Sequence, residues 1–147
     1  MGDLFFRSDD HFLHRLVAES RGFNSSEQHD ETLIRNHNSV VRYQDTVWFL
    51  GDLHLRASDL DHVLAMVARM NGTKHLILGN HDPGTHISSK GHHFLKEYYR
   101  AFESVNALST MKIAGQRVLL SHLPFDGDHS GPDRYPEYQG SGKVVFQ

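Results

Sequence analysis

The chain reads as an α/β protein whose strands end in ligand-type residues, and three observations predict this. Four short apolar runs each break into polar N/O side chains: Leu4-Phe5-Phe6 leads to Ser8-Asp9-Asp10-His11, Val47–Leu50 to Gly51-Asp52-Leu53-His54, Leu76–Leu78 to Gly79-Asn80-His81-Asp82, and Val118–Leu120 to Ser121-His122. Stretches with apolar residues at helical spacing separate the first three of these runs. The run Thr46–Leu50 is apolar on both faces, as a central parallel strand should be. Open α/β sheets place their sites beyond the carboxyl ends of the strands, so these polar exits are expected to share one rim.

In chain order, Leu4–Phe6 is the first strand. Phe12–Ser20 follows as a predicted helix, with Leu13, Leu16 and Val17 on one stripe and Gly22 as its stop. Ser25-Ser26-Glu27-Gln28 fits a capping box, which starts a second helix running to about Val41. Thr46–Leu50 is the second strand. Ser58 is expected to cap a third helix carrying Leu60, Val63, Leu64, Val67 and Met70, closed by Asn71-Gly72. His75–Leu78 is the third strand and Pro83–Gly91 a loop. Phe94, Leu95, Tyr98 and Phe102 predict a fourth helix. Met111, Ile113, Val118 and Leu120 alternate around Ala114-Gly115-Gln116 and predict a hairpin. Pro124–Gly142 is Gly-, Pro- and Asp-rich and reads as a long surface loop, with Lys143–Gln147 as one more strand.

Composition narrows the class. A chain of 147 residues is about one domain. Hydrophobic content of 38% and charged content of 22% are those of a water-soluble protein, and no apolar run is long enough to span a membrane. The N-terminus turns polar too early for a signal peptide, so a cytoplasmic location is expected. Without cysteine, any metal must be held by His, Asp, Glu or Asn, and thirteen histidines supply candidates. A formal charge of -3 gives no footprint for a stable nucleic-acid complex.

The chemistry follows from residue type and order. Asp9 and His11, two apart in an extended exit, point the same way, as two ligands of one cation would. Asp52 offers a carboxylate able to bridge two cations, and Asn80 and His122 suit the second. Two divalent ions about 3.5–4 Å apart can hold a hydroxide between them for an in-line attack at phosphorus. His81 is placed to protonate the leaving oxygen, with Asp82 to orient it. Arg56 is a candidate phosphate clamp and His14 a second substrate contact. His54 is balanced between a ligand and a supporting role, and His29, His37, His62, His75, His92 and His93 read as solvated.

Taken in order, Ser8-Asp9-Asp10-His11, Gly51-Asp52, Gly79-Asn80-His81-Asp82 and Ser121-His122-Leu123-Pro124 resemble the calcineurin-like metallophosphoesterase superfamily. Ser8–His14 and the helix Glu27–Val41 are most similar to its small bacterial and phage branch, which includes mycobacteriophage phosphodiesterases. The resemblance implies a four-layer α/β/β/α sandwich with a binuclear centre of Mn²⁺, Fe, Zn or Ni, Mn²⁺ being favoured. It makes Asp9 and His11 ligands of one metal, Asp52 the bridge, Asn80 and His122 ligands of the other, and His81 the catalytic imidazole. It also implies a phosphodiester substrate, 2′,3′-cyclic nucleotides included.

One departure stands out. Members of that superfamily carry a further Gly-His-x-His motif, and this chain stops at Gln147 where the motif would begin. The expectation is a single metallophosphoesterase domain over 1–147 lacking its C-terminal portion, with water or His129 completing the coordination, and with a final strand edge open to a second copy. The alternatives are a phosphomonoesterase, or a catalytically impaired fragment that binds metal or nucleotide.

Overall fold

A computed structural model describes residues 2–124 together with 145–146. Strands β1 (Leu4–Arg7), β2 (Thr46–Phe49), β3 (Thr73–Ile77) and β4 (Ser104–Asn106) form one parallel sheet in that spatial order. Helices α1 (Arg15–Ser20) and α2 (Ser26–Val40) connect β1 to β2, α3 (Leu60–Ala68) connects β2 to β3, and the short α4 (Leu95–Tyr98) precedes β4. The hairpin β5 (Ser109–Ile113) and β6 (Gln116–Leu120) pairs with β7 (Val145–Phe146) as a second sheet, β7 running parallel to β6.

Strand β2 shows why the sheets stack. Its side chains alternate, and both faces are apolar, so both must be covered. Val47 and Phe49 join Leu76 and Leu78 against Ile34 of α2, Val63, Leu64 and Val67 of α3, and Tyr98 and Phe102. Trp48, with Leu50 and Ile77 on the opposite face, meets Val118 and Leu120 of the hairpin, flanked by Phe6, Met111 and Ile113. The order is helices, parallel sheet, second sheet, which gives three layers of the expected four-layer α/β/β/α sandwich. Among the described residues no helix covers the outer face of the second sheet. Each fully buried aliphatic or aromatic side chain contributes about 1.5–3 kcal/mol, and Leu76, 0% exposed between β2 and the helices, is one whose truncation would cost about 2–5 kcal/mol.

Local chemistry sets the element ends. Ser25 Oγ accepts the Gln28 N–H at 3.2 Å, while Gln28 Oε1 accepts from Asn24 N at 3.0 Å, so the capping box forms with its return bond one residue early. Ser58 is not a cap. It lies inside a 3₁₀ turn, Ala57–Asp59, with its hydroxyl on the Asp59 carboxylate, and α3 begins without a side-chain cap. The first helix starts at Arg15 instead of Phe12, because Phe12 pairs with His54 in an isolated bridge and is 1% exposed. The predicted fourth helix shrinks to a 3₁₀ turn at Gly91–His93 plus the single turn of α4, after which bonds such as Arg100 N to Glu97 O close at i→i+3. Strand β4, Ser-Val-Asn, carries too little apolar signal to be read from sequence. Among the described residues no helix is long and apolar enough to cross a membrane.

Candidate metal centre

The rim beyond β1, β2 and β3 is built by glycine. Gly51 follows β2 in a left-handed conformation, and a Cβ there would stand 2.6 Å from His122 Nδ1 and 2.7 Å from Gly79 Cα. Gly79, in turn, has no room for a side chain beside Asp52. The loops after β2 and β3 therefore close to backbone contact, with the His122 ring against them, a packing that only glycine permits here.

Three donor groups converge at that point. A carboxylate oxygen of Asp9, one of Asp52 and a ring nitrogen of His122 all lie within 4.8 Å of one another. His11 Nε2 stands 3.7 Å from Asp9 Oδ1 and 3.9 Å from Asp52 Oδ2, and His122 Nε2 is 3.3 Å from Asp52 Oδ1 and 3.0 Å from Asn80 Oδ1. The five residues expected as ligands thus meet, contributed by three strand exits of one sheet and one of the other. Asp9 and His11 converge for a different reason than expected: both are left-handed, at φ 58° and 49°, not extended.

The donor set fits a hard or borderline divalent cation. It is entirely oxygen and imidazole nitrogen, and donor atoms each about 2.1 Å from a common ion lie about 3–4 Å apart. The gaps around His11 Nε2 are too long for hydrogen bonds and of the length that shared coordination requires. His122 donates Nδ1–H to the Leu50 carbonyl at 2.7 Å, which fixes the ring with Nε2 facing Asp52 and Asn80. Burial pulls the His122 imidazole down, but the Asp52 carboxylate, joined by the Leu50 carbonyl and Asp9, outweighs it and raises it to about 9. Burial opposes ionisation of Asp52 and Asp9, yet both carboxyls are held below their usual value, Asp52 by His122 and the His81 N–H, Asp9 by His11, Ser8 and His122. A proton on His122 neutralises the carboxylates where a cation would, and cation binding would displace it.

The other candidates divide. His81 is exposed, its ring 6.0 Å from that of His11, and its main-chain N–H donates to Asp52 Oδ1 at 3.0 Å. His14 caps α1 through Nδ1, which accepts from Val17 N at 3.3 Å, and its ring sits edge-on to His11 at 5.8 Å. Its imidazole is lowered by burial and by His11. Arg56 is exposed, close enough to His14 to act on its imidazole. Asp82 departs from expectation. It is 1% exposed, and its carboxylate accepts main-chain N–H groups, from Gly79 at 2.7 Å and Asp52 at 3.0 Å on one oxygen, Leu53 at 2.8 Å and His54 at 3.3 Å on the other. Those bonds take up both oxygens and make it the frame that locks the β2 and β3 exits together, not an orienter of the His81 ring. Burial pushes the Asp82 carboxyl up to about 6.

His54 is buried: Nδ1–H donates to the Arg56 carbonyl at 3.1 Å and Nε2 accepts from the Tyr98 hydroxyl at 3.1 Å. Burial drops it to about 4, so it is neutral, and both nitrogens are occupied away from the donor cluster. His29 and His37, expected in solvent, are buried as well. His37 Nε2 meets the Asn71 carbonyl at 2.9 Å and Nδ1 meets Arg7 at 2.8 Å, while Arg7 Nε also grips the Asp10 carboxylate at 3.1 and 3.2 Å. Sequence reasoning missed this support. The one available signal was the pairing of polar residues with the apolar stripe of α2. The long loop Pro124–Gly142 and His129 lie outside the described residues. Past the end of β3 there is a cavity of about 380 Å³ whose lining includes Leu78, Thr85, His86, His92, Leu95 and Asn106.

A carboxylate–imidazole cluster at the carboxyl rim of a parallel sheet, facing a second sheet, is a candidate divalent-metal centre of an α/β protein. The family model described as calcineurin-like phosphoesterase matches residues 2–142, and the chain belongs to that family. The Gene 66 protein of Mycobacterium phage L5 is 35% identical over 157 residues, covering 99% of this chain and 76% of that protein. That of Mycobacterium phage D29 is 30% identical over 146 residues, covering 95% and 72%. An uncharacterized protein, MJ1445, of Methanocaldococcus jannaschii is 38% identical over 84 residues, covering 56% and 48%. Among solved structures, AQ665 from Aquifex aeolicus, itself of unknown function, superposes with a TM-score of 0.68 at 28% identity over 92% of this chain and 67% of that one. Membership carries metal-dependent phosphoester hydrolysis as the activity and a phosphoester as the substrate.

Proposed function

We propose that this chain is a single metallophosphoesterase domain that hydrolyses phosphodiesters, cyclic nucleotides among them, using two divalent cations, Mn²⁺ by preference. The observation that carries the reading is the convergence of Asp9, Asp52 and His122 within 4.8 Å, with His11 and Asn80 alongside. Asp9 and His11 would hold one cation, Asn80 and His122 the other, and Asp52 both. When bound, such a pair supplies Lewis-acid polarisation of the phosphoryl oxygens and lowers the pKa of water.

The chain's own groups supply the rest. His81, exposed beside Asp52, presents an imidazole to the leaving oxygen and can donate it a proton. His14 accepts from Val17 N through Nδ1, so its neutral ring carries the proton on Nε2 as a donor to a phosphoryl oxygen. Arg56, exposed near His14, would add a charged fork for a phosphoryl oxygen. The choice of diesters over monoesters follows from the resemblance of Ser8–His14 and the helix Glu27–Val41 to the small bacterial and phage branch of the family.

The test compares hydrolysis of bis(p-nitrophenyl) phosphate and p-nitrophenyl phosphate with added Mn²⁺, for the unsubstituted chain and Asp52→Asn. Faster turnover of the diester, lost together with Mn²⁺ binding in Asp52→Asn, is expected. Preference for the monoester would replace this reading with a phosphomonoesterase, and retained metal binding without turnover of either would make the chain a binding protein.

A further inference from the structure

The loop that carries Asp9 and His11 is held in an unfavourable backbone conformation. Asp9, His11 and Leu13, none of them glycine, have φ of 58°, 49° and 60°. Such residues persist only where their surroundings over-determine them. Part of the restraint is main-chain: Asp9 N, His11 N and Phe12 N donate to the carbonyls of Gly51, Asp52 and Leu53 at 2.9, 3.0 and 2.9 Å. Further groups of the loop are gripped by Arg21 of the α1–α2 connection and by Asp30 of α2.

Arg21, just past α1, donates through Nη2 to the Asp9 carbonyl at 2.7 Å and through Nη1 to the Asp10 carbonyl at 3.2 Å and to His29 Nε2 at 2.9 Å. A guanidinium only donates, so His29 Nε2 accepts and its proton sits on Nδ1. Nδ1–H then donates to Asp30 Oδ1 at 2.7 Å, and Asp30 Oδ2 accepts from Leu13 N at 2.9 Å. The chain of bonds leaves the loop at Asp9 and Asp10 and returns to it at Leu13. His29 and Asp30 are 0% and 2% exposed, and Phe23 packs edge-on against the His29 ring at 5.2 Å. None of the three side chains belongs to the donor cluster.

We propose that Arg21, His29 and Asp30 are positioning residues for the cation site, a closed relay that fixes the left-handed loop so that Asp9 and His11 face Asp52. This rests on Asp9 and His11 being ligands. Outer groups that orient ligands are worth about 10–100-fold in metal affinity. Arg21 is the sharpest probe, because its three acceptors are served from two nitrogens held apart by the planar fork, a spacing that the single nitrogen of lysine does not reproduce.

The experiment titrates the full chain with Mn²⁺, following the free ion by electron paramagnetic resonance, for the unsubstituted protein, Arg21→Ala, Arg21→Lys and Asp30→Asn, with thermal unfolding of each metal-free chain alongside. The expected result is Mn²⁺ binding about 10–100-fold weaker in all three, partly restored in Arg21→Ala by methylguanidinium, which leaves the unsubstituted chain unchanged. A residue that only stabilised the fold would leave the Mn²⁺ affinity of the folded variant unchanged. Affinity within twofold of the unsubstituted chain in Arg21→Ala overturns the relay, as does failure of methylguanidinium to restore binding. If Arg21→Ala does not fold, Asp30→Asn decides: the amide cannot accept from His29 and from Leu13 as the carboxylate does, and unchanged affinity there sinks the proposal. Absence of Mn²⁺ binding by the unsubstituted chain would instead overturn the ligand assignment and this role with it.

Discussion

Gly79 lies directly against Asp52: a side-chain carbon at 79 would fall inside contact distance of both Asp52 Oδ1 and the Asp52 amide nitrogen. The backbone at Gly79 is not left-handed, so the requirement is for space alone. Gly79→Ala is expected to push the Asp52 carboxylate out of line and weaken divalent-cation binding at least about tenfold, with about 1–3 kcal/mol of stability lost to overpacking. Calorimetric titration with Mn²⁺ checks this; unchanged binding would mean that Asp52 is not a ligand.

His81 separates catalysis from coordination. Only its main-chain N–H is bonded to Asp52, and that bond survives a side-chain change. His81→Ala should lower kcat by about 10²–10⁴ while Mn²⁺ affinity stays near that of the unsubstituted chain. The loss should shrink for an ester with a good leaving group, and equal losses across leaving groups would remove the proton-donor role.

Asp82 is predicted to act through the fold. Asp82→Asn keeps one acceptor oxygen but turns an NH₂ toward main-chain donors, so about 2–3 kcal/mol should be lost. Urea denaturation of the metal-free chain measures it. A variant of full stability with reduced turnover would return Asp82 to a catalytic role.

Far from the site, Asp45 gives a pH signature. The Arg42 main-chain N–H, with the Asp3 N–H and the Arg42 guanidinium, holds its carboxyl down to about 2 against opposing burial, compared with the usual 3.8. A folded-state value below the unfolded one stabilises above the unfolded pKa, and this stability fades as pH falls from 3.8 toward 2. Asp45→Asn should therefore be less stable than the unsubstituted chain at pH 7, and the difference should narrow across that acid window. Denaturation midpoints at pH 7, 4 and 2.5 test the sign.

Strands β1, β2 and β3 and the candidate donors at their ends were legible in the sequence, where β4 was not, because each of those apolar runs is short and ends abruptly in a polar residue, as in Leu76–Leu78 before Gly79-Asn80-His81. The hairpin was legible for the same reason, through strict alternation at Met111, Ile113, Val118 and Leu120. The short α4 misled because tight turns that share the helical spacing bury Tyr98 and Phe102 and partly bury Phe94. Asp82, His29 and His37 were misread because spacing reports which face is apolar, whereas a polar side chain on that face declares itself only through a partner distant in sequence. His29 needed Arg21, and Asp82 needed the amides beyond Gly51.

His122 arrives from the second sheet, 72 residues from the Leu50 carbonyl that fixes its ring, while Asp9, Asp52 and Asn80 leave the first. A cation gripped by this group would staple one layer of the sandwich to the other, so prying the layers apart and releasing the ion become a single event. By linkage, chelators should loosen the hairpin, and added metal should slow amide exchange in β5 and β6 as much as it protects the rim.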